Sequence, residues 1–109
     1  MNDIGPLTQD LLDGIVKRIT AVSTPTRVVL FGSFARGDSH DDSDLDLMVV
    51  EPEVTARREK MVRMRRALRD LRIPVDVVVV SQGEWERYRD IKGTIIYPAA
   101  HEGKTLFAR

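Results

Sequence analysis

The sequence contains no cysteine and no long apolar run. Without cysteine the chain can form no disulfide, no thiolate zinc site and no thiol-based catalytic centre. No apolar run approaches the roughly 20 residues that a membrane-spanning helix needs, and the first residues lack the basic and apolar regions of a signal peptide. These absences lead us to expect a soluble, cytoplasmic protein that is not associated with a membrane.

The chain also lacks an excess of charge of either sign. Its 17 basic and 17 acidic residues leave a formal net charge of zero, which gives no argument for nucleic acid as a partner, and we predict no direct DNA binding. A chain of 109 residues is long enough for one core but too short for a catalytic domain plus a separate substrate-binding domain. We therefore expect residues 1–109 to form a single domain.

Local patterns predict an α/β (α+β) fold, with a small mixed β-sheet and flanking helices. Apolar residues at helical spacing predict helices over Leu7–Val22 and Val54–Leu71. A capping box at Ser81–Glu84 predicts a helix that continues to about Asp90, and the tail is expected to hold a further short helix. The predicted strands, rich in β-branched and apolar residues, are Thr26–Phe31, Asp44–Val50 and Pro74–Val80.

Three carboxylates and one turn are the chemically informative features. Asp44 and Asp46, two residues apart, share one face of the second strand, where they repel each other unless a divalent cation lies between them. Asp76 interrupts an apolar strand without a basic neighbour along that strand, and an isolated charge there needs a metal or an ion partner. If the strands are neighbours, the three carboxylates form a cluster that suits Mg²⁺ bound together with substrate phosphates. The turn Gly32–Gly37 would place a phosphate-sized stretch of backbone beside them.

These motifs resemble those of a known family. The pattern Gly-Ser-x-x-Arg-Gly, followed by Ser-Asp-x-Asp-Leu and a distal aspartate in an apolar strand, is similar to that of the nucleotidyltransferases of the DNA polymerase beta superfamily. The small size, Ala35-Arg36-Gly37 and the tail Gly93–Lys104 resemble more narrowly the minimal nucleotidyltransferases, or MNT proteins. The resemblance implies a polymerase-beta-like nucleotidyltransferase fold and an antitoxin that acts on a partner toxin with a HEPN domain.

The resemblance also implies roles for individual residues. Asp44 and Asp46 would ligate two Mg²⁺ ions, and Asp76 would complete the catalytic metal site and help to deprotonate the attacking hydroxyl. The remaining assignments concern the phosphates of ATP: Gly32 would let the backbone approach them, Ser33 would donate hydrogen bonds, and Arg36 would hold an oxygen. AMP would then be transferred from ATP to a hydroxyl of the toxin, that of a tyrosine by family resemblance.

Each assignment has an alternative. A Gly-Ser pair is common in ordinary turns, Asp44 with Ser43 can cap a turn, and Arg36 can pair with the acidic loop. At the level of function, the alternatives are an antitoxin that neutralises by binding alone and a nucleotidyltransferase acting on a small molecule such as an aminoglycoside. The intact carboxylates argue against the first alternative, and the lack of an acceptor domain argues against the second.

Several features of the second half of the chain leave two interpretations open. The basic residues of helix 54–71 suit either a solvated face or an acidic or RNA-bearing partner. Trp85 and Tyr88, three residues apart, can cover the core edge or anchor an interface. Pro98 interrupts the tail and puts its helical continuity in doubt.

Overall fold

A four-stranded mixed sheet organises the computed structural model, which describes residues 8–39, 43–71 and 73–109. Its strands are β1 (Arg27–Phe31), β2 (Leu45–Glu51), β3 (Val75–Ser81) and β4 (Lys104–Ala108). They lie in the order β3-β2-β1-β4, with β1 antiparallel to both β2 and β4 and with β2 parallel to β3. The predicted α/β (α+β) fold with a small mixed sheet is confirmed.

Helices cover both faces of this sheet. They are α1 (Gln9–Val22), α2 (Ser33–Arg36), α3 (Arg57–Ala67), α4 (Gln82–Tyr88) and α5 (Ile96–Glu102), and a 3-10 turn at Arg69–Leu71 follows α3. The apolar residues of α1 and α3 are buried together on one face, and those of α4 and α5 are buried on the other. The molecule therefore has two small cores, one on each side of the sheet.

Alternation along β2 divides its residues between the two cores. Leu45, Leu47 and Val49 are fully buried against α1 and α3, whereas Met48 and Val50 are buried on the side of α4 and α5. Because side chains alternate along a strand, Asp46 lies on the same face as Met48. The apolar pattern of the strand thus fixes the face on which its carboxylate appears.

The predicted helix 54–71 is shorter in the structure. It begins at Arg57 because Ala56 has a left-handed backbone (φ 51°, ψ 51°), which no helical residue adopts. It ends at Ala67, and Leu68 leads into the 3-10 turn. The capping box at Ser81 and Glu84 forms as predicted, with both of its hydrogen bonds present, and α4 ends at Tyr88.

The tail differs from the prediction because its last residues form a strand. β4 pairs with β1, so the expectation of two short helices alone was incomplete. Pro98 does not interrupt α5, since it is the third residue of that helix and helical N–H groups in the first turn have no intrahelical acceptor. Gly103 then lies so close to α5 and β1 that an added Cβ would collide with the carbonyl oxygen of Ala99 and with the side chain of Val29.

The aromatic pair on α4 is divided between core and surface. Trp85 is only 3% exposed, and the guanidinium groups of Arg27 and Arg89 lie 5.3 and 5.6 Å from the centre of its ring. It therefore covers the edge of the core, while Tyr88 remains half-buried. No helix in the described ranges is long and apolar enough to cross a membrane.

Candidate active site

The candidate site lies where β1 ends and β2 begins. Gly32 follows β1 with φ 77° and ψ −155°, a backbone conformation that is essentially restricted to glycine. The carbonyl oxygen of Gly32 accepts hydrogen bonds from the N–H groups of Ala35 and Arg36, both at 3.1 Å, and Gly37 ends the short helix α2 in a left-handed conformation. The predicted Gly32–Gly37 turn is thus a tight single-turn helix that begins at Ser33.

The absence of a side chain at Gly32 makes room for Asp46. A Cβ atom built on Gly32 would collide with the carboxylate of Asp46. The backbone of the turn and the carboxylate of β2 therefore lie side by side. A ligand that reaches this carboxylate also meets the peptide groups at the start of α2.

Asp46 is the central carboxylate of the site. It lies opposite Phe31 in the antiparallel pairing and beside Asp76 in the parallel pairing. Burial raises the pKa of Asp46 above its ordinary value, repulsion from Asp76 and then from Asp44 raises it further, and the positive charge of Arg36 partly offsets these effects. Asp44 and Asp76 are therefore both close enough to Asp46 to raise its pKa.

Asp44 and Asp76 are more exposed than the sequence suggested. Asp44 lies just before β2, and its residue is exposed. The side chain of Asp76 is 53% exposed, and its Oδ1 accepts a hydrogen bond from Nη2 of Arg65 at 3.2 Å. Asp76 is therefore not an isolated charge in an apolar strand, because α3 supplies an ion partner that a search along the strand could not find.

Arg36 also has an ion partner. Its Nε lies 3.2 Å from Oδ2 of Asp38, and both side chains are largely exposed. The acidic-loop alternative for Arg36 is therefore realised in the structure, at least through Asp38. His40 and the acidic residues 41 and 42 of this loop lie outside the described residues.

The donor set fits Mg²⁺ bound together with phosphate. In the described part of the chain, no three Asp, Glu or His side chains are arranged to enclose a metal ion by themselves. Mg²⁺, however, is commonly held by only one or two protein carboxylates together with waters and substrate phosphates. Asp46 and Asp76 are neighbours in register, which provides such a pair, and the backbone of the Gly32 turn lies directly against the Asp46 carboxylate.

Arg65 is the residue of this site that the sequence did not single out. It is one of many basic residues on α3, and nothing in its spacing marks it, because its partner is on a strand and 11 residues away. A basic residue in the last turn of the helix that precedes a strand carboxylate is the only signal, and it is a weak one.

A tight glycine turn beside neighbouring carboxylates suits a protein that binds a metal ion and a phosphate group. The chain belongs to the nucleotidyltransferase domain family, whose profile matches residues 12–98. A protein of Methanocaldococcus jannaschii, provisionally named a protein adenylyltransferase, is 34% identical over 67 residues. That match covers 62% of this chain and 54% of the relative, so the chain spans about half the length of the curated relative.

Solved structures share the fold. A provisionally named nucleotidyltransferase from Sulfolobus solfataricus superimposes with a TM-score of 0.63 at 25% identity, covering 93% of this chain and 80% of that one. A chain of a toxin–antitoxin structure with AMP-PNP gives a TM-score of 0.59 at 22% identity, with 90% and 73% of the two chains covered. A chain from the complex of tri-AMPylated Shewanella oneidensis HEPN toxin with MNT antitoxin gives 0.55 at 19% identity, with 94% and 74% covered. The predicted nucleotidyltransferase fold is confirmed, and chains of the toxin–antitoxin structures share this fold.

Proposed function

We propose that this protein is a cytoplasmic antitoxin that transfers AMP from ATP to a hydroxyl of a partner HEPN toxin, that of a tyrosine in our leading hypothesis. The observation that carries the proposal is the register pairing of Asp46 with Asp76 beside the Gly32 turn. The family match supports nucleotidyl transfer, and the provisional name of the archaeal relative supports a protein acceptor. The fold likeness to the HEPN–MNT complex supports a toxin as that acceptor.

In the proposed reaction, the acceptor oxygen forms a bond to the α-phosphorus of ATP and the bond to the bridging oxygen breaks, so that pyrophosphate leaves. Asp46 and Asp76, with Asp44 at the rim, would hold Mg²⁺, which when bound neutralises charge on the phosphates. The Gly32 backbone and Ser33 would orient the triphosphate. Asp76 would receive the proton of the attacking hydroxyl, which requires it to part from Arg65 at that stage.

The test is transfer by variants at the paired carboxylates. We expect Asp46→Asn and Asp76→Asn to abolish labelling of a partner toxin with a HEPN domain when labelled ATP and Mg²⁺ are supplied. Both variants should remain folded, since removing a charge from a crowded acidic group relieves repulsion. Asp13→Asn on α1, an exposed carboxylate on the other face of the sheet, is the matched control and should label normally.

The mass and the activity of toxin isolated from protected cells distinguish AMP transfer from neutralisation by binding alone. Toxin isolated from protected cells should carry a mass increase for each AMP, and it should stay inactive after this protein is removed under denaturing conditions and the toxin is refolded. Normal labelling by Asp46→Asn, or an unmodified toxin from fully protected cells, would refute the proposal.

A further inference from the structure

Arg65 is the basic residue that contacts the carboxylates of the candidate active site. Its Nη2 lies 3.2 Å from Oδ1 of Asp76, and no other ion pair in the described ranges includes one of the three site carboxylates. Arg36, whose charge also acts on Asp46, is paired with Asp38. A metal ion at Oδ1 of Asp76 therefore competes with Arg65 for that oxygen.

The contact between Arg65 and Asp76 is weak enough to be exchanged. One nitrogen–oxygen contact joins the two side chains, which are 48% and 53% exposed. An ion pair at this exposure favours the paired arrangement by about fivefold at most. A guanidinium has several N–H donors, and Arg65 makes no other hydrogen bond within the described residues. Its remaining donors are therefore available for a second acceptor.

Phosphate is an acceptor that suits these donors, because arginine binds phosphate oxygens through two parallel N–H groups. Mg²⁺ holds its oxygen ligands at about 2.0–2.1 Å in near-octahedral geometry, which places neighbouring ligands about 3 Å apart. A guanidinium that touches one oxygen of such a set can therefore reach the next by rotation of its side chain. If Asp76 and a phosphate share a metal ion, as proposed above, the phosphate lies within reach of Arg65.

The two partners of Arg65 have opposite effects on metal binding. Contact with Asp76 opposes a metal ion, because the guanidinium competes for the carboxylate oxygen and repels the second positive charge. Contact with a phosphate removes this competition, and the ion pair that is lost at Asp76 is replaced by another. A metal ion that binds without nucleotide offers Arg65 no such replacement.

We propose that Arg65 is a phosphate-binding residue of the active site, which leaves Asp76 for a phosphate oxygen when metal and nucleotide bind together. The inference rests on the proposed binding of Mg²⁺ and ATP at this site, and it adds that the two ligands bind cooperatively through Arg65. The metal alone binds weakly because Arg65 holds Asp76. With the nucleotide present, Arg65 changes partner and the carboxylate is free to ligate the metal.

The coupling between metal and nucleotide can be measured without turnover. Mn²⁺, which like Mg²⁺ prefers oxygen ligands, is the probe metal, and electron paramagnetic resonance reports its free concentration. Its Kd is measured for the free protein and for protein saturated with a non-hydrolysable ATP analogue, and the ratio of the two Kd values is the coupling. The affinity of Mn²⁺ for the analogue itself is the same in every variant. No acceptor takes part, so failure of AMP transfer to a toxin leaves this result unaffected.

We expect Arg65→Gln to bind Mn²⁺ alone up to about fivefold more tightly and to show a coupling ratio lower by up to about fivefold, the range of an exposed ion pair. The ratio is the decisive quantity. A fixed positive charge acts on the metal and on the nucleotide separately, and both effects cancel in the ratio. A residue that changes partner contributes to the ratio itself, so its removal lowers the ratio.

Two further variants serve as controls. Arg65→Lys keeps the charge and most of the reach, and it should retain most of the coupling. Arg66→Gln removes the same charge from the next position of α3, where the exposed side chain lines a groove with Val62 and Arg63 and has no ion partner among the described residues. It should leave the ratio unchanged. Thermal unfolding verifies that all three variants are folded.

Three results would overturn the proposal. An unchanged ratio in Arg65→Gln, whether or not Mn²⁺ alone binds more tightly, would make Arg65 a fixed charge that does not change partner. An equal fall in the ratio of Arg66→Gln would assign the effect to net charge. A wild type whose Kd for Mn²⁺ is the same with and without the analogue would refute the cooperative binding directly.

Discussion

Replacing Gly32 by alanine tests whether the backbone of the turn and the carboxylate of Asp46 form one site. Gly32 has φ 77° and ψ −155°, and an alanine in this region carries backbone strain of about 1–3 kcal/mol. The added Cβ also collides with the carboxylate of Asp46, which must therefore move. We expect a lower free energy of unfolding, corresponding in a domain of this size to a fall in Tm of about 4–8 °C for each kcal/mol.

The matched control is Gly37→Ala. Gly37 also has a positive φ, 82°, but a Cβ there meets no atom within 4 Å. The left-handed backbone should cost alanine about 1–2 kcal/mol at Gly37, so this variant carries backbone strain without the collision that Gly32→Ala adds to it. Only Gly32→Ala should lose Mg²⁺-dependent binding of a non-hydrolysable ATP analogue, measured by calorimetry.

A double-mutant cycle separates the collision from the backbone strain. Removing the carboxylate with Asp46→Ala should make Gly32→Ala less destabilising, because the atoms that the Cβ meets are those of Asp46. Additive losses of stability would show that the two residues do not interact. Normal nucleotide binding by Gly32→Ala, or an equal loss of binding in Gly37→Ala, would refute the assignment of this turn to the phosphates.

Two further predictions concern stability away from the site. The backbone N–H of Ser81, and to a smaller extent Arg57, hold the pKa of Glu84 below its ordinary value. The contribution of Glu84 to stability is therefore present above about pH 5 and is lost as pH falls through and below about 4.3. In urea unfolding, the free energy of unfolding of Glu84→Gln should fall less between pH 7 and pH 3.5 than that of the wild type, and an identical fall would contradict this. Gly103→Ala should lower the free energy of unfolding by about 1–3 kcal/mol through overpacking against β1. Gly14→Ala within α1 should raise the free energy of unfolding by about 0.5–1 kcal/mol. A change of the same sign in both variants would show that the close approach at Gly103 does not determine the effect of alanine there.

The features that the sequence could predict are those set by local periodicity. The three apolar strands were predicted to within one residue at each end, because runs of β-branched and apolar residues bounded by turns are a local signal. The capping box of Ser81 and Glu84 was equally readable, since both hydrogen bonds join residues three apart. The prediction that Asp44 and Asp46 share a face of the strand stays a prediction, because Asp44 lies just before β2.

The features that the sequence could not predict depend on contacts between distant residues. β4 is a five-residue segment with a lysine and a threonine at its start, and it becomes a strand because β1 offers an open edge about 75 residues earlier in the chain. The ion pair of Arg65 with Asp76 joins a helix to a strand, so neither residue's neighbours reveal it. The late start of α3 depends on the left-handed backbone of Ala56, a residue type that gives no warning of it.

The pairing of Asp46 with Asp76 follows from the same pattern that builds the core. A strand, a helix and a strand in succession favour parallel neighbours, and β2, α3 and β3 have this arrangement. Val77 and Val79 of β3 are buried in the core of α1 and α3. A slip of β3 by one residue relative to β2 would move both valines to the opposite face of the sheet, so their burial fixes the register of the two strands. That register leaves Asp76 beside Asp46. Substitutions that loosen the packing of Val77 are therefore expected to disturb the carboxylate pair before they unfold the domain, because the core and the candidate site share one alignment of two strands.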